Sequence, residues 1–193
     1  MTFVESRFTA ARSDCPHPEY WHATDDQSTE LEVTALIAAM VVALQPDFLV
    51  ETGTCFGNTT EAIGQALRSN GHGELVSLEV DPKYVQIARQ RCAGLPVSVL
   101  SISSMEYVPD RPIDFVFFDS LARLRALEFE RYLPWMHERT VVGFHDTAPH
   151  HPVRETLLPL AQKGLLVSPL YLPTPRGVMF ARVRVETSGS RAV

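Results

Sequence analysis

The chain has 193 residues, of which 45% are hydrophobic and 21% charged, enough for one well-buried core and too few for two. Its formal net charge of -6 offers no counter-charge to phosphates or anionic lipids, so we expect no nucleic acid and no membrane as partner. Apolar runs are too short for a membrane span, residues 1–14 lack a signal-peptide core, and Cys15, Cys55 and Cys92 lack metal-ligand spacing. We therefore expect a cytoplasmic protein with reduced thiols.

Residues 1–27 predict an irregular N-terminal arm, because Pro, His, aromatic and acidic residues follow one another there without periodicity. The arm contains Tyr20, Trp21, His22, Asp25 and Asp26. Such a segment either folds over a substrate as a lid or packs its aromatic residues onto the domain. The sequence leaves both interpretations open.

Residues 28–185 alternate between helix and strand patterns. Ser28 predicts the N-terminal cap of a first helix that Pro46 ends, and Asn58 with Glu61 predicts a capping box for the second. Apolar runs predict buried strands at 47–51, 74–80, 96–101, 113–119 and 140–145, and helical spacing predicts helices at 58–69, 82–93, 121–136 and 153–162. This alternation indicates right-handed crossovers and a parallel sheet covered on both faces.

The C-terminal end departs from the alternation. Two apolar runs, 164–173 and 177–185, are joined only by "TPR", and strands so close can pair only antiparallel. We therefore predict an α/β fold with a Rossmann-like, doubly wound, mostly parallel seven-stranded sheet that ends in an antiparallel β-hairpin. Residues 186–193 are expected to form a flexible tail.

The loop "ETGTCFGN" follows the first strand of this sheet, where ligands of such sheets bind. Gly53 and Gly57 let the backbone approach a ligand, and the start of the next helix supplies unpaired NH groups. Glu51 would repel a pyrophosphate but suits a cationic amine. Cys55 either lines the pocket or is a small spacer.

The next two strands end in residues that suit a nucleoside. Glu79 ends the second strand, where a carboxylate accepts hydrogen bonds from ribose hydroxyls. Ser103 and Ser104, beside Met105, suit the edge and face of an adenine. Each feature alone also fits a plain turn or a solvated strand end, but their placement on successive strands favours a cofactor that joins a cationic amino acid to a nucleoside without phosphates.

These residues resemble the motifs of class I S-adenosylmethionine-dependent methyltransferases, and the chain is similar to the small-molecule O-methyltransferases among them. Glu51, Gly53 and Gly57 match the glycine-rich first motif, Glu79 the acidic ribose motif, and residues 165–185 the terminal hairpin. The resemblance covers about residues 28–185 and implies S-adenosylmethionine as cofactor and a homodimer as assembly. The predicted cofactor-binding residues are Glu51, Gly53, Thr54, Cys55, Gly57, Asn58, Thr59, Glu79, Ser103, Ser104, Met105 and Asp119.

Asp119, His145 and Asp146 are the predicted catalytic residues, because they end the fourth and fifth strands beside the expected position of the transferred methyl group. In one mechanism they bind Mg²⁺ or another divalent metal, which lowers the pKa of an acceptor hydroxyl. In the other, no metal binds and His145 is the general base, oriented by a carboxylate. The similar O-methyltransferases carry Asp followed by Asn or Asp where this chain has His145 and Asp146, so both mechanisms stay open.

We thus predict methyl transfer from S-adenosylmethionine to a small-molecule hydroxyl by in-line displacement. A nicotinamide-dependent oxidoreductase would instead need a G-x-G-x-x-G turn and a parallel sixth strand, which the sequence lacks. A non-catalytic cofactor-binding module and an iron-dependent hydroxylase, with His145, Asp146 and either His150 or His151 as ligands, are further alternatives.

Three other polar segments lie outside the predicted catalytic set. His150 and His151 either cover the site or are exposed loop residues. Asp114 opens the fourth strand at the opposite edge of the sheet and is assigned no chemistry. The segment "RLRALEFER" predicts an amphipathic helix with solvated charges.

Overall fold

The protein's structure, a computed structural model, describes residues 4–5 and 13–185. Its elements are β1 (Val4–Glu5), β2 (His22–Ala23), α1 (Leu31–Leu44), β3 (Phe48–Thr52), α2 (Asn58–Asn70), β4 (Glu74–Glu79), α3 (Pro82–Arg91), β5 (Val97–Ser101), β6 (Ile113–Phe118), α4 (Arg125–Tyr132), β7 (Met136–His145), α5 (Val153–Gln162), β8 (Leu166–Leu172) and β9 (Val178–Val183). Short 3₁₀ helices cover Pro18–Tyr20 and Leu133–Trp135. The predicted tail, residues 186–193, lies outside the described residues.

A seven-stranded sheet in the order β5-β4-β3-β6-β7-β9-β8 confirms the predicted fold. Strands β3 to β7 run parallel, and β9 is antiparallel to both β7 and β8. The chain proceeds outward from β3 through β4 and β5, then returns to place β6 and β7 on the other side of β3. The strand order therefore reverses between β3 and β6, and a crevice opens at their carboxyl ends.

Apolar side chains cover the sheet on both faces, which explains why its central strands read as continuous apolar runs. Every residue of β3 is buried. On one face Phe118 and Phe144 stack with ring centroids 4.9 Å apart and pack against Phe129 and Tyr132. On the other face α1 and α2 pack on the sheet. Among the described residues, none of the helices has the length and hydropathy needed to cross a membrane.

Both predicted helix caps are wrong. The N-terminal cap of α1 is Glu30, not Ser28, and the cap of α2 is Gly57, which takes a left-handed φ of 78°. Because Gly57 tolerates that angle, α2 begins at Asn58, whose side-chain amide donates to the hydroxyls of Ser28 and Thr24. Asn58 therefore ties the N-terminal arm to α2. The arm, predicted to be irregular, also forms a short antiparallel pair between β1 and β2.

Candidate active site

A cavity of about 480 Å³ opens at the carboxyl ends of β3, β4, β6 and β7. This volume is in the range of small-molecule sites. Six predicted cofactor-binding residues line it: Gly53, Cys55, Glu79, Ser103, Ser104 and Asp119. Apolar side chains that were not predicted also line it, namely Leu78, Val80, Ile102, Leu121, Ala122 and Leu124. The cavity thus combines a polar rim with an apolar wall.

Gly53 allows the loop after β3 to pack directly on the end of β6. Its φ is 85°, and a Cβ at this position would lie 2.4 Å from the carbonyl oxygen of Asp119. Any larger residue would force the two segments apart. Gly57 has a different role, because a Cβ there would lie 3.0 Å from the Cβ of Ala88 on α3. Gly57 therefore allows α2 and α3 to pack closely.

Glu79 is fixed at the rim of the cavity by three backbone N–H groups. One carboxylate oxygen accepts from Cys55 at 2.8 Å, and the other accepts from Val80 at 2.8 Å and Asp81 at 2.9 Å. The bond from Cys55 also holds that residue at its positive φ of 49°. Burial raises the pKa of the Cys55 thiol to about 11, so it stays protonated at neutral pH.

Glu51 lies inside the protein and is 2% exposed. Its Oε2 accepts hydrogen bonds from the hydroxyls of Thr60 at 2.5 Å and Ser77 at 2.6 Å. Burial raises the pKa of its carboxyl group to about 7, although these two hydrogen bonds favour the charged form. Glu51 is not among the described residues that line the cavity. Its predicted contact with a cofactor amine stays a prediction.

The other predicted cofactor residues divide into two groups. Thr54, Asn58 and Thr59 line a smaller cavity of about 40 Å³, which shares Gly53, Cys55 and Asp119 with the large one. Within the described part of the chain, Gly57 and Met105 line neither of these two cavities.

The three predicted catalytic residues lie together at the cavity's end. Candidate ligand atoms of Asp119, His145 and Asp146 are all within 4.8 Å of one another. His145 is fully buried, with Nδ1 3.0 Å from Asp119 Oδ1 and Nε2 2.7 Å from Glu30 Oε2. Burial opposes a charged ring, but the carboxylates of Asp119, Asp146 and Glu30 outweigh it and raise the pKa of His145 to about 9. The ring is therefore an imidazolium that donates from both nitrogens.

Two arginines that were not predicted complete this cluster. Arg125 Nη2 donates to Asp119 Oδ1 at 3.0 Å and to Asp146 Oδ2 at 2.7 Å. Arg176 Nε, from the turn between β8 and β9, donates to Asp146 Oδ1 at 2.7 Å. Burial opposes ionisation of Asp146, but the charges of His145, Arg125 and Arg176 hold its pKa far below the usual range.

The prediction that α4 carries only solvated charges is wrong. Arg125 is 2% exposed and Glu128 is fully buried. Glu128 accepts from the hydroxyls of Thr52, Ser104 and Ser120. Because α4 begins beside the carboxyl end of β6, its first residue faces the cavity, and Glu128, one turn later, faces the strand ends.

The N-terminal arm forms part of the cavity wall through Asp26 and Gln27. Behind them, Glu30 is fully buried and accepts from His145, from the Thr174 hydroxyl and from the backbone N–H of Arg176. Burial opposes ionisation of Glu30, but the positive charge of His145 outweighs it and lowers the pKa of Glu30 to about 2.

His150 and His151 lie beside this cluster. Their ring centroids are 4.2 Å apart, and His151 Nε2 is 3.8 Å from Asp146 Oδ1. Burial lowers the pKa of His151, so its ring is neutral at neutral pH. Of the two interpretations of this pair, the structure favours a place at the edge of the site.

A family model described as a methyltransferase domain matches residues 50–147, just over half of the chain. The chain belongs to this methyltransferase family. The matched segment runs from β3 through Asp119 to the residue after Asp146, so it contains the strand ends around the cavity. A search among curated proteins found no match.

Solved structures share the fold. A methyltransferase from Podospora anserina bound to S-adenosylhomocysteine is 16% identical, with a TM-score of 0.73 over 83% of this chain and 81% of that chain. An O-methyltransferase from Bacillus cereus in complex with S-adenosylhomocysteine is 21% identical, with a TM-score of 0.69 over 83% and 84%. The O-methyltransferase TomG from Streptomyces achromogenes, involved in tomaymycin synthesis, is 20% identical, with a TM-score of 0.68 over 88% and 86%.

Family membership and fold together confirm the class predicted from the sequence, an S-adenosylmethionine-dependent methyltransferase. The antiparallel pairing of β9 with β7 also argues against the nicotinamide alternative, which requires a parallel strand there.

Proposed function

We propose that the protein transfers the methyl group of S-adenosylmethionine to a hydroxyl of a small-molecule acceptor by in-line displacement. The observation that carries this proposal is the position of Asp119 and Asp146, whose carboxylates lie on the wall of the same cavity that Gly53 and Glu79 line. One cavity thus offers a cofactor site and two proton acceptors, as a hydroxyl methyltransferase requires.

The cofactor would lie along the carboxyl ends of β3 and β4. Three backbone N–H groups fix the position of Glu79, and its Oε2, which accepts only one of them, keeps a lone pair for a ribose hydroxyl. The apolar wall that includes Ile102 and Leu121 suits the adenine, and Ser103 suits its polar edge. The amino acid end would then lie along the Gly53–Cys55 loop, and the methyl group would be near Asp119.

The chemical step forms a bond between the acceptor oxygen and the methyl carbon and breaks the carbon–sulfur bond, which leaves S-adenosylhomocysteine. The hydroxyl proton passes to the carboxylate of Asp119 or Asp146. Because both carboxylates already accept from arginine, they are weak bases, and the reaction is fastest with an acidic hydroxyl such as a phenol.

His145 does not fit the general-base role considered from the sequence. A base needs a free lone pair, but both ring nitrogens of His145 donate to carboxylates. We propose instead that His145 is a positioning residue, which holds Asp119 at the cavity and links it to Glu30.

Incubation with methyl-labelled S-adenosylmethionine and a panel of phenols, alcohols, carboxylic acids and amines tests this function. We expect label to move to phenolic oxygens. The variant Asp146→Asn should lose at least about tenfold in turnover and keep S-adenosylhomocysteine affinity, whereas Asp114→Asn, at the opposite edge of the sheet, should keep turnover.

Two results would contradict the proposal. Transfer only to nitrogen or carbon would refute the hydroxyl acceptor. Tight S-adenosylhomocysteine binding without transfer to any compound of the panel would favour a non-catalytic cofactor-binding module.

A further inference from the structure

The predicted divalent metal site does not fit the residues that surround it. Asp119 and Asp146 offer four carboxylate oxygens, and each of them already accepts a hydrogen bond from the protein. Asp119 accepts from Thr29 and from Arg125 together with His145, and Asp146 accepts from Arg125 and Arg176. A metal ion would have to displace these donors.

We propose that Arg125 takes the place of the predicted metal ion, so that its guanidinium group bridges Asp119 and Asp146 and the enzyme needs no divalent cation. This inference rests on the proposed function. The bridging distances of 3.0 Å and 2.7 Å are those of charge-assisted hydrogen bonds. Mg²⁺ on the same two oxygens would need contacts of about 2.0–2.1 Å, which the intervening guanidinium excludes.

The charges of the cluster also oppose the binding of a divalent ion. Among the described residues, the guanidinium groups of Arg125 and Arg176 already face the carboxylates of Asp119 and Asp146. An added divalent cation would place two further positive charges beside these two arginines in a largely buried site, which is strongly unfavourable.

His145 is unsuited to bind the ion for a separate reason. Metal coordination uses the lone pair of a neutral imidazole nitrogen. Each ring nitrogen of His145 already contacts a carboxylate oxygen, Nδ1 that of Asp119 at 3.0 Å and Nε2 that of Glu30 at 2.7 Å. Coordination of a metal by either nitrogen would break one of these contacts.

Arg125 is buried in the site and fixed there by hydrogen bonds. Its side chain is 3% exposed, and its remaining N–H groups donate to the backbone carbonyls of Ser120 and His145. These carbonyls follow β6 and end β7, so Arg125 joins the two strand ends that carry the carboxylates. Because its N–H groups are directed at the protein, Arg125 is a positioning residue.

Titration with Mn²⁺, followed by the loss of the free-ion signal in electron paramagnetic resonance, tests the inference without an acceptor. We expect the wild-type protein to bind no Mn²⁺ at the cluster and its S-adenosylhomocysteine affinity to be the same with Mg²⁺ and with a chelator. The variant Arg125→Ala frees Asp146 Oδ2, removes one of the two donors to Asp119 Oδ1 and leaves one more negative charge uncompensated. It should therefore bind Mn²⁺ at least about tenfold more tightly than the wild type. Adding Asp146→Asn to it should abolish that binding.

Arg131→Ala is the matched control. Arg131 lies on the same helix, but its guanidinium group donates only weakly to backbone carbonyls of Glu106 and Tyr107, at 3.4 Å. A general loosening of α4 would affect both variants, whereas only Arg125→Ala should gain Mn²⁺ affinity.

Tight Mn²⁺ or Mg²⁺ binding by the wild type that Asp146→Asn abolishes would overturn the inference. So would an Arg125→Ala variant that folds and gains no Mn²⁺ affinity. If Arg125→Ala does not fold, the Mn²⁺ titration of the wild type still tests the inference. Failure of the wild type to bind S-adenosylhomocysteine would instead contradict the proposed function. The Mn²⁺ titration would still test the inference about Arg125.

Discussion

Replacing Gly53 with Ala should both destabilise the protein and disrupt the cavity of the candidate active site. The backbone φ of 85° costs an L-residue about 1–2 kcal/mol. The new Cβ would lie 2.4 Å from the carbonyl oxygen of Asp119 and 2.9 Å from the Cα of Ser120. Ordinary van der Waals contact begins at 3.4 Å, so the end of β6 must move, and such overpacking costs about 1–3 kcal/mol. The total is about 2–5 kcal/mol.

Gly71→Ala separates the two costs. Gly71 has a similar φ of 78°, but a Cβ there would meet no atom of the described residues within 4 Å. This variant should lose only the conformational cost of about 1–2 kcal/mol. The difference between the two variants therefore measures the close approach of the loop to β6.

Urea denaturation and calorimetric titration with S-adenosylhomocysteine measure the two effects. We expect Gly53→Ala to lose at least about tenfold in affinity, because Asp119 and the loop form the cavity wall, and Gly71→Ala to bind like the wild type. Equal stability and equal affinity in the two variants would refute this account of the loop.

Two further predictions concern carboxylates near the loop. Glu79→Ala should weaken S-adenosylhomocysteine binding by at least about tenfold, because it removes the proposed ribose acceptor and the hydrogen bond that holds Cys55. Glu61→Ala on α2 should bind like the wild type, and equal calorimetric affinities of the two variants would contradict the proposed ribose role. The pKa of Glu51 is raised above its unfolded value, so the stability linked to its proton is complete below pH 4.5 and is lost as pH rises through about 7. The free energy of unfolding of the wild type should fall by about 3 kcal/mol more than that of Glu51→Gln between pH 4.5 and 8, and parallel pH profiles would be evidence against the raised pKa.

Local patterns were sufficient to predict the sheet and the strand-end residues. The parallel strands follow from apolar runs that alternate with helices, and the hairpin follows from the last two apolar runs, which only three residues separate in the sequence. Because every parallel strand ends at the same edge, Glu79, Asp119 and Asp146 could be placed at one site before their contacts were known.

The partners of those residues could not be predicted, because they depend on tertiary packing. Glu30 and His145 form a hydrogen bond although they are 115 residues apart in the sequence, and no local sequence pattern indicates that contact. Arg125 has the spacing of a surface charge, and the predicted helix began at 121 rather than at Arg125. Only the position of the start of α4 beside β6 shows that its guanidinium group faces the carboxylates. The homodimer, the cytoplasmic location and a lid role for the arm stay predictions.

Calorimetric titration of the wild-type protein with S-adenosylhomocysteine, with NAD as the control ligand, tests most directly that this cavity is a methyltransferase cofactor site. We predict that one molecule of S-adenosylhomocysteine binds per chain, that the affinity is unchanged by Mg²⁺, and that NAD does not bind. Absence of S-adenosylhomocysteine binding, or equal binding of NAD, would contradict the account.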